Sequence, residues 1–163
     1  MIFRLFFALF LTFTAFNTFS QESPEPGLNE QSPEQVERWV VTFFDAFNTY
    51  VRPGQLDQWM THWSDGAKRY TPMGDAEGKN NIRKLYEDLI SRYENMDQKI
   101  IGLVVQGNRA SVELMTKGTH KATGVEVSIP NVALLTFDAD GRVAKARVYF
   151  DSNYVASQIP AKK

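Results

Sequence analysis

The hydrophobic period changes once along this chain, near Lys99, and that change constrains the fold more than any other feature. Before it, apolar residues recur every three or four positions. Val36, Val40, Phe43, Phe47 and Tyr50 form one stripe, opened by Ser32, Pro33 and Gln35 and stopped by Pro53 and Gly54. Leu56, Trp59, Met60 and Trp63 form a shorter helical stripe ended by Gly66. Residues 67–71 read as extended, with a turn at Pro72 to Gly74, and Ile82, Leu85, Tyr86, Leu89 and Tyr93 mark a third helix. After it, residues 100–105, 109–121, 126–137 and 142–150 are rich in β-branched and aromatic side chains and predict strands. The segments Gln106-Gly107-Asn108, Ala122-Thr123-Gly124 and Asp138-Ala139-Asp140-Gly141 are compact turns, so these strands run antiparallel. Helices gathered ahead of a meander predict one α+β domain, a curved sheet wrapped on its helices.

The chain's start differs from the rest. Seven of its twelve phenylalanines lie in residues 1–20, where Arg4 is the sole charged side chain. A basic start, an apolar run from Leu5 to about Phe16, and small residues before Gln21 predict a signal peptide over 1–20. The run is short for a spanning helix, although an uncleaved anchor is the alternative reading. Residues 21–32, with two prolines and a glycine, read as a flexible polar leader. The domain is expected over 33–157, with a tail over 158–163. The protein is then periplasmic or secreted, with no stable membrane association once the signal is cleaved.

Composition removes whole classes of function. Eighteen basic against nineteen acidic residues, a formal charge of −1, supply no footprint for nucleic acid. The absence of cysteine excludes disulfides, thiolate metal sites and a cysteine nucleophile. Two histidines make a histidine-built metal site unexpected, and nothing in the sequence calls for a cofactor. Asp138-Ala139-Asp140-Gly141 resembles the start of a calcium loop, but the distant glutamate is missing and a hairpin turn is expected there.

Several segments carry a family resemblance: Trp63-Ser64-Asp65-Gly66-Ala67, Tyr70-Thr71-Pro72, Gly78 through Ile82 to Leu85-Tyr86, Phe137 through Val143, and Tyr149-Phe150-Asp151. They resemble the NTF2-like superfamily, in its SnoaL-like and ketosteroid-isomerase-like branch, over residues 33–155. That resemblance implies an NTF2-like cone, with three N-terminal helices packed in a strongly curved, mixed but mostly antiparallel sheet and a pocket between them. It also implies a homodimer through the convex sheet face. Ketosteroid isomerases use an aspartate as proton shuttle, with a tyrosine and a protonated aspartate as oxyanion hole. By the resemblance, the two aspartate positions are Thr71 and Ala133, and the first-helix tyrosine falls among Phe43, Phe44 and Phe47. None of these can do that proton chemistry.

Strand alternation, anchored on Ala133, places Ile129, Asn131, Leu135 and Phe137 on the inner face. It adds Leu114, Thr116, Gly118 and His120 from the preceding strand, and Ala144, Ala146, Val148 and Phe150 from the last. The expected pocket therefore contains Trp63, Thr71, Tyr86, Thr116, His120, Asn131 and Phe150, and suits a small, largely apolar molecule. His120 and Tyr86 are the candidates for acid–base chemistry of an isomerase, cyclase or hydratase type, with Asn131 as orienter. The place of His120 beside a turn favours a solvent-facing side chain, and His62 reads as helix surface. A third reading is a non-catalytic dimeric interaction module, since Val132, Leu134 and Tyr149 make the outward face apolar.

Overall fold

The computed structural model describes residues 31–160. The expected signal peptide, all but the end of the leader, and the last three residues of the tail lie outside the described residues. Helix α1 (Pro33–Tyr50) starts on Ser32, whose hydroxyl accepts from the Gln35 amide at 3.3 Å. The Gln35 side chain does not return a bond to the cap; its Oε1 accepts from Arg38 at 2.6 Å. Helix α2 (Leu56–Met60) is only a short turn, and strand β1 (Trp63–Tyr70) begins where a helical stripe was expected to continue. The reason is long-range: Trp63 pairs with Val143, and the Val143 amide donates to the His62 carbonyl at 2.9 Å. Strand β2 (Ala76–Glu77) is a two-residue antiparallel partner of β1. Helix α3 (Lys79–Arg92) follows Gly78, which at φ +81° still donates its amide to the Ala67 carbonyl at 2.8 Å.

The meander comprises β3 (Tyr93–Gln106), β4 (Arg109–His120), β5 (Val125–Phe137) and β6 (Val143–Tyr149). The strand β3 starts directly at the end of α3, seven residues before the sequence pattern shows it. Its first half is an edge strand with polar, outward Glu94, Asp97 and Lys99, so no apolar alternation announces it. The six-stranded sheet has the order β2-β1-β6-β5-β4-β3, with β1 and β6 parallel and every other pair antiparallel. Helix α4 (Ser152–Ser157), unannounced by periodicity, is capped by Asp151, which accepts from the Asn153 and Tyr154 amides at 2.8 and 3.0 Å.

Alternation holds along β4 and β5, where Leu114, Thr116, Asn131, Ala133, Leu135 and Phe137 are all buried. In β6 a register shift opposite Thr136 and Phe137 breaks it: Val143 is fully buried and Ala144 only half-buried, so the inner set there is Val143, Ala146 and Val148. The helices fill the concave side with aromatic rings. Phe47 and Trp59 meet edge-to-face at 5.6 Å, Trp59 and Tyr86 at 5.4 Å, and Phe43 and Trp63 at 5.5 Å. On the edge strand, the Asn48 amide of α1 clamps β3, donating to the Gln98 carbonyl at 3.0 Å and accepting from its N–H at 2.7 Å.

Candidate functional site

Between α1, α3 and the concave sheet face lies a cavity of about 220 Å³. Phe43, Phe44 and Phe47 line it from α1, Leu85, Tyr86 and Leu89 from α3, and Leu114, Ala133, Leu135 and Ala146 from the sheet. A cavity of about 150 Å³ lined by aliphatic and aromatic groups holds benzene, so this one has room for a ring that size with substituents.

The polar wall is built by three strands. Asn131 is buried, and its Nδ2 donates to Thr116 Oγ1 at 2.8 Å and to the Ile129 carbonyl at 2.9 Å. A carbonyl can only accept, so this pair of bonds fixes which way the amide faces. Thr116 Oγ1 also accepts from Gln98 Nε2 at 3.1 Å. Among the described residues, Asn131 Oδ1 is left buried with no partner, as is Trp63 Nε1. Such groups are costly in a folded interior, and a ligand that pairs with one removes that cost.

Tyr86 is buried at the aromatic end of the cavity. Burial pushes its phenol above the ordinary value of 10.0, and the neighbouring Arg69 only partly offsets this, so it is a hydrogen-bond donor at neutral pH. Thr71 lies at the rim, and its hydroxyl is engaged in its own turn: it donates to the Gly74 carbonyl at 2.9 Å and accepts from the Met73 amide at 3.2 Å. Phe150 lines the same rim, half-buried. Trp63, Thr71, Tyr86, Thr116, Asn131 and Phe150 are thus brought to one cavity.

His120 is not among the residues that line it. It sits at the end of β4 and its Nδ1 bonds the Thr123 hydroxyl at 2.9 Å across the β4–β5 turn. Its ring lies 5.4 Å from that of Tyr93, which does line the cavity. His62 is half-buried, 6.1 Å from the Trp59 ring, and burial lowers its pKa. Among the described residues Asp88 is the sole carboxylate of the lining, and it is an exposed rim residue paired with Arg92. Among the described residues no group of three or more His, Cys, Asp or Glu side chains is placed to hold a metal ion.

Several cavity residues escaped the sequence reading. Val155 reaches it from α4, which is fastened to β5 by Gln158: its Oε1 accepts from the Ser128 amide at 2.9 Å and its Nε2 donates to the Ser128 carbonyl at 3.1 Å. Met73 and Met96 come from a loop and a polar edge strand, where nothing in the pattern marks an inner face. Arg69 was legible in principle, since alternation along β1 puts it on the same side as Ala67 and Thr71.

Helices laid on the concave face of a bent, mixed sheet, with a cavity between the layers, define the NTF2-like, ketosteroid-isomerase-like class of protein. Within that class the chain belongs to the SnoaL-like domain family, whose model matches residues 40–146. Its fold is similar to that of a protein from Jannaschia sp. CCS1 designated a SnoaL-like polyketide cyclase, with 22% identity, 83% of this chain and 99% of that one covered, and a TM-score of 0.69. It is also similar to a protein of ketosteroid isomerase-like fold from Catenulispora acidiphila DSM 44928, solved with trimethylamine (14% identity, 71% and 90% covered, TM-score 0.63). A third is SalBIII, described as an epoxide hydrolase/cyclase-like enzyme in pyran ring formation in the polyether salinomycin (17% identity, 74% and 93% covered, TM-score 0.64). No curated protein matches the chain.

Proposed function

We propose that this chain binds a small, largely apolar molecule in the cavity, with Asn131 as the group that orients it. The carrying observation is the fixed amide of Asn131, whose Oδ1 is buried without a partner in an otherwise apolar wall. Thr71 and Ala133 stand where the family resemblance places the isomerases' two aspartates, and the one lining carboxylate is tied to Arg92 at the rim. On this reading the ketosteroid-isomerase proton shuttle has no carboxylate carrier among the described lining residues.

One observation favours a catalytic variant of this reading. Tyr86 is a buried phenol that stays protonated at neutral pH, so it can donate to a substrate oxygen, as an isomerase or cyclase would require, but it is no base. The family neighbours described as cyclases agree with that direction. Two further parts of the reading concern the whole protein: it is exported through residues 1–20, and it pairs as a homodimer through the outer sheet face.

Thermal shift with small aromatic and aliphatic ligands tests the binding reading. A ligand at a hundred times its Kd stabilises by about 2.7 kcal/mol. Ala133→Leu, which grows a side chain into the cavity, is expected to fold and to lose that shift, whereas His120→Ala keeps it. A shift that survives Ala133→Leu would place the ligand elsewhere. Intact mass of the exported protein, expected to begin at Gln21, checks the export.

A further inference from the structure

Among the described residues, one charge in the cavity lining has no ion-pair partner. Arg69 pairs in register with Ala76 on one side and with the buried Ala146 on the other, so its side chain projects from the concave face, into the lining. Its neighbours along β1 point the other way. Lys68 is ion-paired with Glu77, and Tyr70 carries the Arg147 guanidinium over its ring at 5.6 Å. Among the described residues, the ion pairs engage Lys68, Lys79, Arg83, Arg92 and Arg142, and none reaches Arg69.

The Arg69 guanidinium carbon instead sits 5.4 Å from the centroid of the Tyr86 ring. Stacking on an aromatic face holds the guanidinium in place, and its N–H groups outnumber what the Tyr86 phenol oxygen beside it can accept, which leaves donors for a second acceptor. Arg69 and Arg92 against Asp88 leave the cavity lining one positive charge in excess, in a chain whose formal charge is −1. A half-buried, unpaired cation beside a buried phenol O–H in an apolar wall is complementary to a planar oxyanion. In such a setting a bidentate guanidinium–carboxylate bond is at its strongest.

We propose that the ligand is an apolar organic acid, whose carboxylate is held by Arg69 with Tyr86 O–H while its hydrocarbon body lies along Phe43, Phe47 and Leu114. This rests on the cavity being the binding site, and it names the chemical class that the site selects. A neutral molecule of equal shape would bind the same face without the charge-assisted bond to Arg69.

Titration calorimetry with phenylacetate, phenylacetamide and 2-phenylethanol tests it. The acid and the amide differ in charge and hardly at all in size. Phenylacetate is expected to bind at least tenfold more tightly than phenylacetamide, with the advantage shrinking as salt rises. Arg69→Gln is expected to erase that preference while leaving the affinity for 2-phenylethanol unchanged, and Arg69→Lys to retain part of it, since an ammonium supplies charge without the fork. Tyr86→Phe should weaken the acid several-fold and the alcohol less. Near-UV circular dichroism of each variant reports whether the aromatic core is intact, and Arg69→Lys keeps the test open if Arg69→Gln does not fold. Equal affinities for acid and amide, or a preference that survives Arg69→Gln, would overturn the acid assignment while the cavity reading stood. No binding by any of the three would overturn both.

Discussion

Asp138 shows how much one side chain can organise. Its carboxylate accepts from the Ser64 hydroxyl at 2.6 Å, from the Arg142 guanidinium at 3.0 Å, and from the Asp140 and Arg142 amides at 3.0 and 2.9 Å. Burial opposes its ionisation, but the Ser64 hydroxyl, the Arg142 amide and the Arg142 guanidinium together outweigh it and hold the pKa below the ordinary value of 3.8. The folded state therefore binds fewer protons than the unfolded one in acid. This contribution to stability is full above pH 3.8 and is lost as pH falls through the lower, folded value. Asp138→Asn is expected to lower Tm at neutral pH and to give a shallower fall of Tm below about pH 4; a slope identical to wild type would remove Asp138 from the acid limb. The turn itself was legible from Asp138 through Gly141. The bond to Ser64 was not, because 74 residues separate the partners.

At the scale of elements, the same turn is fixed by a steric fact. Gly141 lies at φ +78°, and a Cβ there would come within 2.5 Å of the Trp39 indole, which packs on Phe137 with ring centroids 5.7 Å apart. Gly141→Ala is expected to cost about 1–3 kcal/mol from the backbone alone, more with displacement of the indole, read as a lower urea midpoint. An unaltered midpoint would mean that the β5–β6 turn relaxes freely. Elements whose own residues decide them were legible: α1, most of α3, and β4 and β5 over nearly their whole lengths. Those decided by a partner were not. Trp63 fits a helical stripe and lies in a strand, because pairing with Val143 satisfies its backbone. The bulge that buries Val143 in place of Ala144 likewise follows from register against β5.

At the scale of the molecule, the two faces of the sheet have different work. The inner face carries the cavity, and the outer face presents Val132, Leu134 and Tyr149, the last two 38% and 54% exposed. Under the proposed homodimer these meet a second copy. The pair Val132→Glu and Leu134→Glu is expected to yield a monomer by native mass spectrometry, with phenylacetate affinity unchanged because both side chains lie on the far side of the sheet. A dimer that persists in this variant would move the interface off that face.

Period and turn chemistry are local, and from them the sequence alone determined the α+β class, the antiparallel meander and the two alternating sets along β4 and β5. The family resemblance supplied the cone, the choice of which set faces inward and, with those sets and the alternation of the last strand, six of the residues now seen to share one cavity. Only the tertiary structure decided where the cavity ends, and so that His120 lies beyond it while Arg69 and Val155 lie within. Enclosure depends on which helix covers which stretch of sheet, and that is set by packing between segments far apart in the chain. The unpaired state of Arg69 is tertiary for the same reason, since a charge is neutralised by whatever the fold brings near it, whatever its place in the sequence.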